Sequence, residues 1–165
     1  MTHTMNILMH KFLTRKFLLL LGICSSILFS YKVDAASFAG RDALSKQLLC
    51  AAKNNDVTLA LNLLKDGADV NYEDNQFFNE KNTALIWASR YGHKEIVEML
   101  LNFEGINVNT SNKNGSTALM FSSRYGHKEV VQMLLNVEGI NVNSADKDGD
   151  TALMLASRDG HMEIV

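Results

Sequence analysis

Proline is absent from all 165 residues, so no proline-rich linker marks a domain boundary. Cysteine occurs only twice, at Cys24 and Cys50, which excludes a disulfide-dense secreted scaffold. Basic charge is not in excess, with 16 Lys and Arg against 18 Asp and Glu, so the chain lacks the positive footprint that nucleic-acid phosphate demands. The longest uncharged apolar run, Phe17 to Phe29, has 13 residues, whereas a membrane-spanning helix needs about 20. No phosphate-cradling glycine loop occurs, no G-x-S-x-G elbow, and no Cys-His pair with a third orienting group. With those classes set aside, 47% apolar and 21% charged residues describe a globular chain with enough apolar material for a core.

The N-terminal segment differs from the rest. Lys11, Arg15 and Lys16 precede the apolar run, and Ala35, Ala36 and Ala39 follow it. Basic, apolar and small-residue regions in that order form the layout of a secretory signal. Cleavage after Ala35, with Val33 at −3, and cleavage after Ala39, with Ser37 at −3, both satisfy a signal peptidase. The alternatives are an uncleaved membrane anchor and a start at Met5 or Met9; a lipid anchor on Cys24 fits less well, because Ile23 precedes it where a small residue is expected. Removing residues 1–35 leaves 12 basic and 17 acidic residues and Cys50 as the remaining cysteine. The expected mature chain is therefore secreted or extracytoplasmic, acidic, free of intrachain disulfides, and held together by packing.

Beyond that segment the sequence repeats itself. NTALIWASRYGHKEIVEMLLNFEGINVN, from Asn82 to Asn109, recurs as STALMFSSRYGHKEVVQMLLNVEGINVN from Ser116 to Asn143, and DTALMLASRDGHMEIV runs from Asp150 to Val165. Thr83, Thr117 and Thr151 lie 34 apart, as do Gly92, Gly126 and Gly160, and a period of that length identifies a stack of supersecondary units. A degenerate earlier copy, LLCAAKNNDVTLALNLLKDGADVN, covers Leu48 to Asn71. Within a unit, Thr83 is placed to N-cap a short helix carrying Leu85, Ile86, Trp87 and Ala88, and Gly92 supplies the left-handed residue that closes it. Asn55 does the same in the first copy. The segment from His93 to about Leu101 sets Ile96, Val97, Leu100 and Leu101 on one side and Lys94, Glu95 and Glu98 on the other, a helix with one buried stripe. Asn112 to Gly115 is tight-turn chemistry before the next threonine.

These units resemble the ankyrin repeat, whose pattern places Thr-Pro-Leu-His at the first helix, Gly-His before the second and Gly-Ala-Asp-Val-Asn at the exit. Lys65 to Asn71 reproduces the exit motif. Ala84, Ala118 and Ala152 stand where the family has Pro, and Ile86, Met120 and Met154 where it has His, a Thr-Ala-Leu-Met variant similar to microbial members. The missing histidine removes a threonine-to-histidine hydrogen bond, which the Ile and Met side chains must offset by apolar contact. The resemblance implies an all-α solenoid of stacked helix pairs with hairpin-like turns. Its expected layout is a signal segment or anchor over 1–35, a leader over 36–43, and a repeat domain over 44–165. That domain divides into a degenerate repeat (44–71), a long hairpin (72–82), repeats 83–115 and 116–149, and a truncated repeat (150–165). It further implies a non-catalytic protein-interaction scaffold without cofactor, exported and reading a partner protein; a membrane-tethered or intracellular scaffold, or the N-terminal part of a longer multidomain protein, is the alternative.

By the same resemblance the residue pair before each closing glycine and the hairpin tips face partners. Those positions are Lys53, Arg90, Tyr91, Arg124, Tyr125, Arg158 and Asp159, with tip residues Ser111, Lys113, Asn114, Ser116, Ala145, Lys147, Asp148 and Asp150. Arg and Tyr are enriched at interface hot spots, and a row of Arg and Tyr favours an acidic partner surface. The alternative is that each Arg serves the C-terminal dipole of its own helix. Phe77 and Phe78, in a first hairpin four residues longer than the next, are either a packed plug or a partner contact. His93, His127 and His161 recur one repeat apart, about 10 Å in a helix stack, too far to share a metal at bonds of about 2 Å, and are read as structural ties. Asp146 to Gly149 resembles a calcium loop, but Ser144 and Leu155 occupy positions that need acidic ligands. Cys50 aligns with Trp87, Phe121 and Leu155 and is expected to be a buried thiol.

Overall fold

The computed structural model describes residues 40–74 and 80–165. The segment expected to direct export, and Phe77 and Phe78, lie outside the described residues. The repeats form one compact unit, Arg41–Val165. The helices of the described residues are α1 (40–54), α2 (Val57–Lys65), α3 (Ala84–Tyr91), α4 (Lys94–Leu101), α5 (Ala118–Arg124), α6 (Lys128–Leu135) and α7 (Ala152–Arg158). No strand occurs among the described residues, and the turns contribute a single isolated bridge, Ser111 to Thr117. The fold is an all-α repeat solenoid. Residues 161–165 are turn rather than helix.

Local chemistry sets each helix. The Thr83, Thr117 and Thr151 hydroxyls accept from the backbone N–H of Ile86, Met120 and Met154, so each first helix starts on a side-chain cap. Gly92 closes α3 at φ 72°, where a side chain is strained. Asn55 takes the equivalent role at φ 57° in the first repeat. The family's histidine is replaced in three different ways: Ile86 is fully buried, Met120 turns its sulfur to accept the Thr117 N–H at 3.4 Å, and Met154 is exposed.

Two layers result. The first helices α3, α5 and α7 pack side by side, and α2, α4 and α6 form the second layer behind them. Between the layers Leu48, Leu85, Ile86, Ile96, Leu100, Met120 and Leu134 form one continuous core, which is what the four-residue apolar stripes of the second helices require.

Polar ties join each repeat to the next. The Nε2 atoms of His93, His127 and His161 sit 3.0, 3.1 and 3.0 Å from the carbonyl oxygens of Lys53, Arg90 and Arg124. Each imidazole thus satisfies a last-turn carbonyl that the preceding first helix leaves without an intrahelical partner. At the other end of the repeat, Asn71 donates to the Gly105 carbonyl and accepts from Asn107 N–H. Asn109 does the same with Gly139 and Asn141, so the last Asn of the first two exits, Asn71 and Asn109, bridges two repeats. Neighbouring turns also join directly, through Lys113 N–H to Glu80 O and Lys147 N–H to Asn114 O.

Candidate protein-binding face

The face that carries the first-helix ends and the turn tips is built from positions one repeat apart. Lys53, Arg90, Arg124 and Arg158 occupy one row, and Asn54, Tyr91, Tyr125 and Asp159 the next. Each row lies in the last turn of its helix because Gly or Asn in the left-handed conformation ends the helix one or two residues later. A third row, Cys50, Trp87, Phe121 and Leu155, lies one turn earlier.

The structure brings these rows together across repeats. Lys53 Nζ lies 5.0 Å from the Trp87 ring centre, and the Arg90 guanidinium carbon lies 5.6, 5.4 and 5.9 Å from the ring centres of Trp87, Phe121 and Tyr125. Such cation–ring contacts contribute about 0.5–1 kcal/mol each at exposed sites. Trp87 stacks on Tyr91 with the planes 8° apart, and Phe121 on Tyr125 at 4°, which follows from i, i+4 spacing on one helix face. Where Tyr gives way to Asp in the last repeat, the contact becomes an ion pair, Arg124 Nε to Asp159 Oδ2 at 3.6 Å. Arg158 is held by Asp150 at 2.6 Å. Arg90 has the most distant carboxylate of the three, Glu80 at 3.9 Å, whose Oε2 is already engaged by Asn82 Nδ2 at 2.7 Å.

Tyr91 and Tyr125 remain 43% exposed, and with Arg90 and His127 they line a shallow pocket of about 360 Å³. The aromatic platform of Trp87 and Phe121 beneath Arg90 was not among the residues singled out from the sequence. The signal for it was present, two aromatics 34 apart, but they read as core side chains.

The turn tips are solvent-facing at Ser111, Lys113, Asn114, Ala145, Lys147 and Asp148, and partly covered at Ser116 and Asp150. Their shape is fixed from within. Asn112 Oδ1 accepts from the Asn114 and Ser116 N–H groups, and Asp146 Oδ1 from those of Asp148 and Asp150. The Asp146 carboxylate is therefore turned into its own loop rather than outward.

Cys50 corrects the expectation from its alignment, because it is exposed. Its row is not uniformly placed: Trp87, covered by Lys53 and Arg90, and Leu155 are buried in the core, whereas the short Cys50 side chain stays exposed. Cys50 lines an apolar cavity of about 460 Å³ together with Leu49, Lys53, Asp74 and Trp87. Near it, hydrogen bonds from Lys46 and then from the Tyr72 hydroxyl hold the Asp42 carboxyl below the usual carboxylate range. Burial, then the bond to Asp42, raises the Tyr72 hydroxyl above its ordinary value.

A family model described as ankyrin repeats, three copies, matches residues 48–146, and a single-repeat model matches 148–165. No curated protein matches the chain.

Proposed function

Because the chain belongs to the ankyrin-repeat family, whose repeats are generally protein–protein interaction modules, we propose that it is a non-catalytic scaffold that reads a partner protein with its first-helix ends and turn tips. The observation that carries this reading is the in-register row of Arg90, Tyr91, Arg124 and Tyr125, which stays accessible while the histidines beside it are occupied by backbone carbonyls. The partner presents an acidic surface to this row. Replacing Tyr91 or Tyr125 with a photo-crosslinking phenylalanine derivative, in cells that make the protein, then captures one defined protein. The same group at Glu98 on the second-helix layer does not. Equal capture from both faces removes the proposal.

The scaffold acts outside the cytoplasm of the cell that makes it, on the strength of the basic, apolar and small-residue order of residues 11–39. Intact-mass measurement of the recovered protein tests this: a chain starting at Ala36 or Gly40 supports export, and one retaining Phe17 to Phe29 supports the membrane-tethered alternative.

A further inference from the structure

We infer that the pocket between Tyr91 and Tyr125 takes one carboxylate side chain of the partner, with Arg90 as its anchor, a narrowing that rests on the protein-recognition reading of the same face.

Four observations converge on Arg90. Its backbone carbonyl is fixed by His127, and its guanidinium lies within 6 Å of three ring centres, so the main chain at Arg90 and the tip of its side chain are both placed before any ligand arrives. Side chains already ordered in this way bind without the entropic loss that a free surface arginine incurs. The planar guanidinium carries five N–H donors in a fork that matches a carboxylate, and no carboxylate of the described residues sits within hydrogen-bond distance of it. The molecule itself shows what such an arginine accepts. One repeat on, the counterpart of Tyr125 is Asp159, and its carboxylate lies 3.6 Å from Arg124. In the last repeat Asp150 closes on Arg158 at 2.6 Å. The arginine row is thus not one uniform binding surface: Asp150 closes on Arg158, Asp159 approaches Arg124, and Arg90, whose own acid Glu80 lies furthest off and is already engaged by Asn82, lines a pocket of about 360 Å³. At roughly 30 Å³ per water that is a volume of about twelve waters, enough for a carboxylate and part of its stem. The Tyr91 and Tyr125 rings and the His127 edge supply flat walls for the methylene groups of a glutamate.

The test is a titration of the full isotope-labelled chain, read by nuclear magnetic resonance at the arginine Nε–H and backbone amide signals. The probes are N-acetyl-glutamate amide, its neutral isostere N-acetyl-glutamine amide, and N-acetyl-O-phosphoserine amide. The glutamate probe should shift Arg90 Nε–H and the Tyr91, Tyr125 and His127 amides saturably, and bind at least ten-fold more tightly than the glutamine probe. Arg90→Gln should abolish the response and Lys65→Gln, on the second-helix layer, should keep it. Arg90→Lys retains a cation over the rings but not the fork, so it should fold and still bind the glutamate probe about ten-fold more weakly. Equal shifts at Arg124 and Arg158, an equal response to the glutamine probe, or no shift at Arg90 overturns the inference. Tighter binding of the phosphoserine probe at the same atoms also overturns it, in favour of a phosphorylated partner. Cross-links from Tyr91 without a glutamate response remove this inference alone; a glutamate response with cross-links only from Glu98 removes the recognition reading and leaves the pocket.

Discussion

Alanine in place of Gly92 perturbs the junction between the second and third repeats in two ways that can be separated. The residue sits at φ 72°, a conformation that costs an L side chain about 1–2 kcal/mol. A Cβ built there also lies 2.6, 2.8 and 2.9 Å from Nδ1, Cε1 and Cγ of His127. Three ring atoms are involved, so a small tilt does not relieve the clash; the imidazole must swing away and release the Arg90 carbonyl it holds at 3.1 Å. That loss adds about 0.5–1.5 kcal/mol. Gly105 is the internal control, since it has φ 81° with nothing within 4 Å of a Cβ, and its alanine variant should carry only the conformational cost. Urea unfolding followed by circular dichroism should therefore place Gly92→Ala about 2–3 kcal/mol below the parent chain and roughly 1 kcal/mol below Gly105→Ala. At the urea dependence of small domains the two midpoints differ by about 0.5 M. In a His127→Ala background the cost of Gly92→Ala should fall to that of Gly105→Ala. Identical midpoints for the two glycine variants, or an undiminished cost without the imidazole, refute the idea that glycine is required here by its neighbour as well as by its own backbone.

Asn109→Ala removes both inter-repeat bonds of that side chain and should lower stability by about 1–2 kcal/mol in the same assay. Thr117→Ala should cost about 1 kcal/mol and speed amide exchange at Met120, whose N–H the threonine caps. Ser89 Oγ is buried with no hydrogen-bond partner, so Ser89→Ala should raise the unfolding midpoint, by up to about 1 kcal/mol of stability. In the acid range, Asp42 should titrate below an ordinary aspartate, and Lys46→Ala should return it toward that value. Because the folded carboxyl is depressed, its stabilising contribution is present above the unfolded-state pKa and lost as pH falls through the folded one, which a pH series of unfolding midpoints checks.

Much of the fold is legible in the residues because each repeat signals its own ends. Thr83, Thr117 and Thr151 mark helix starts through hydroxyl chemistry, and Gly92 and Gly126 mark helix ends through positive φ. The stripe Ile96, Val97 and Leu100 shows which side of α4 is buried. Those are local rules, readable within one unit. What escaped is set between units. Cys50 is exposed although Trp87 and Leu155 at the same register are buried, and nothing in its own neighbourhood of Leu48, Leu49 and Ala51 announces it. The structural role of the histidines followed from their spacing, but the carbonyl each one meets belongs to the preceding repeat. The row of arginines looked uniform because the sequence repeats. Glu80, Asp159 and Asp150 approach its members from different places and at different distances, and that breaks the uniformity.

The most direct measurement is hydrogen-exchange mass spectrometry of the chain with and without the protein it captures. Slowed exchange over residues 84–91, 111–116 and 118–124, with the second helices 94–101 and 128–135 unchanged, is the expected result. Slowed exchange confined to those second helices, or none anywhere in the repeats, contradicts a scaffold that recognises through its first-helix face.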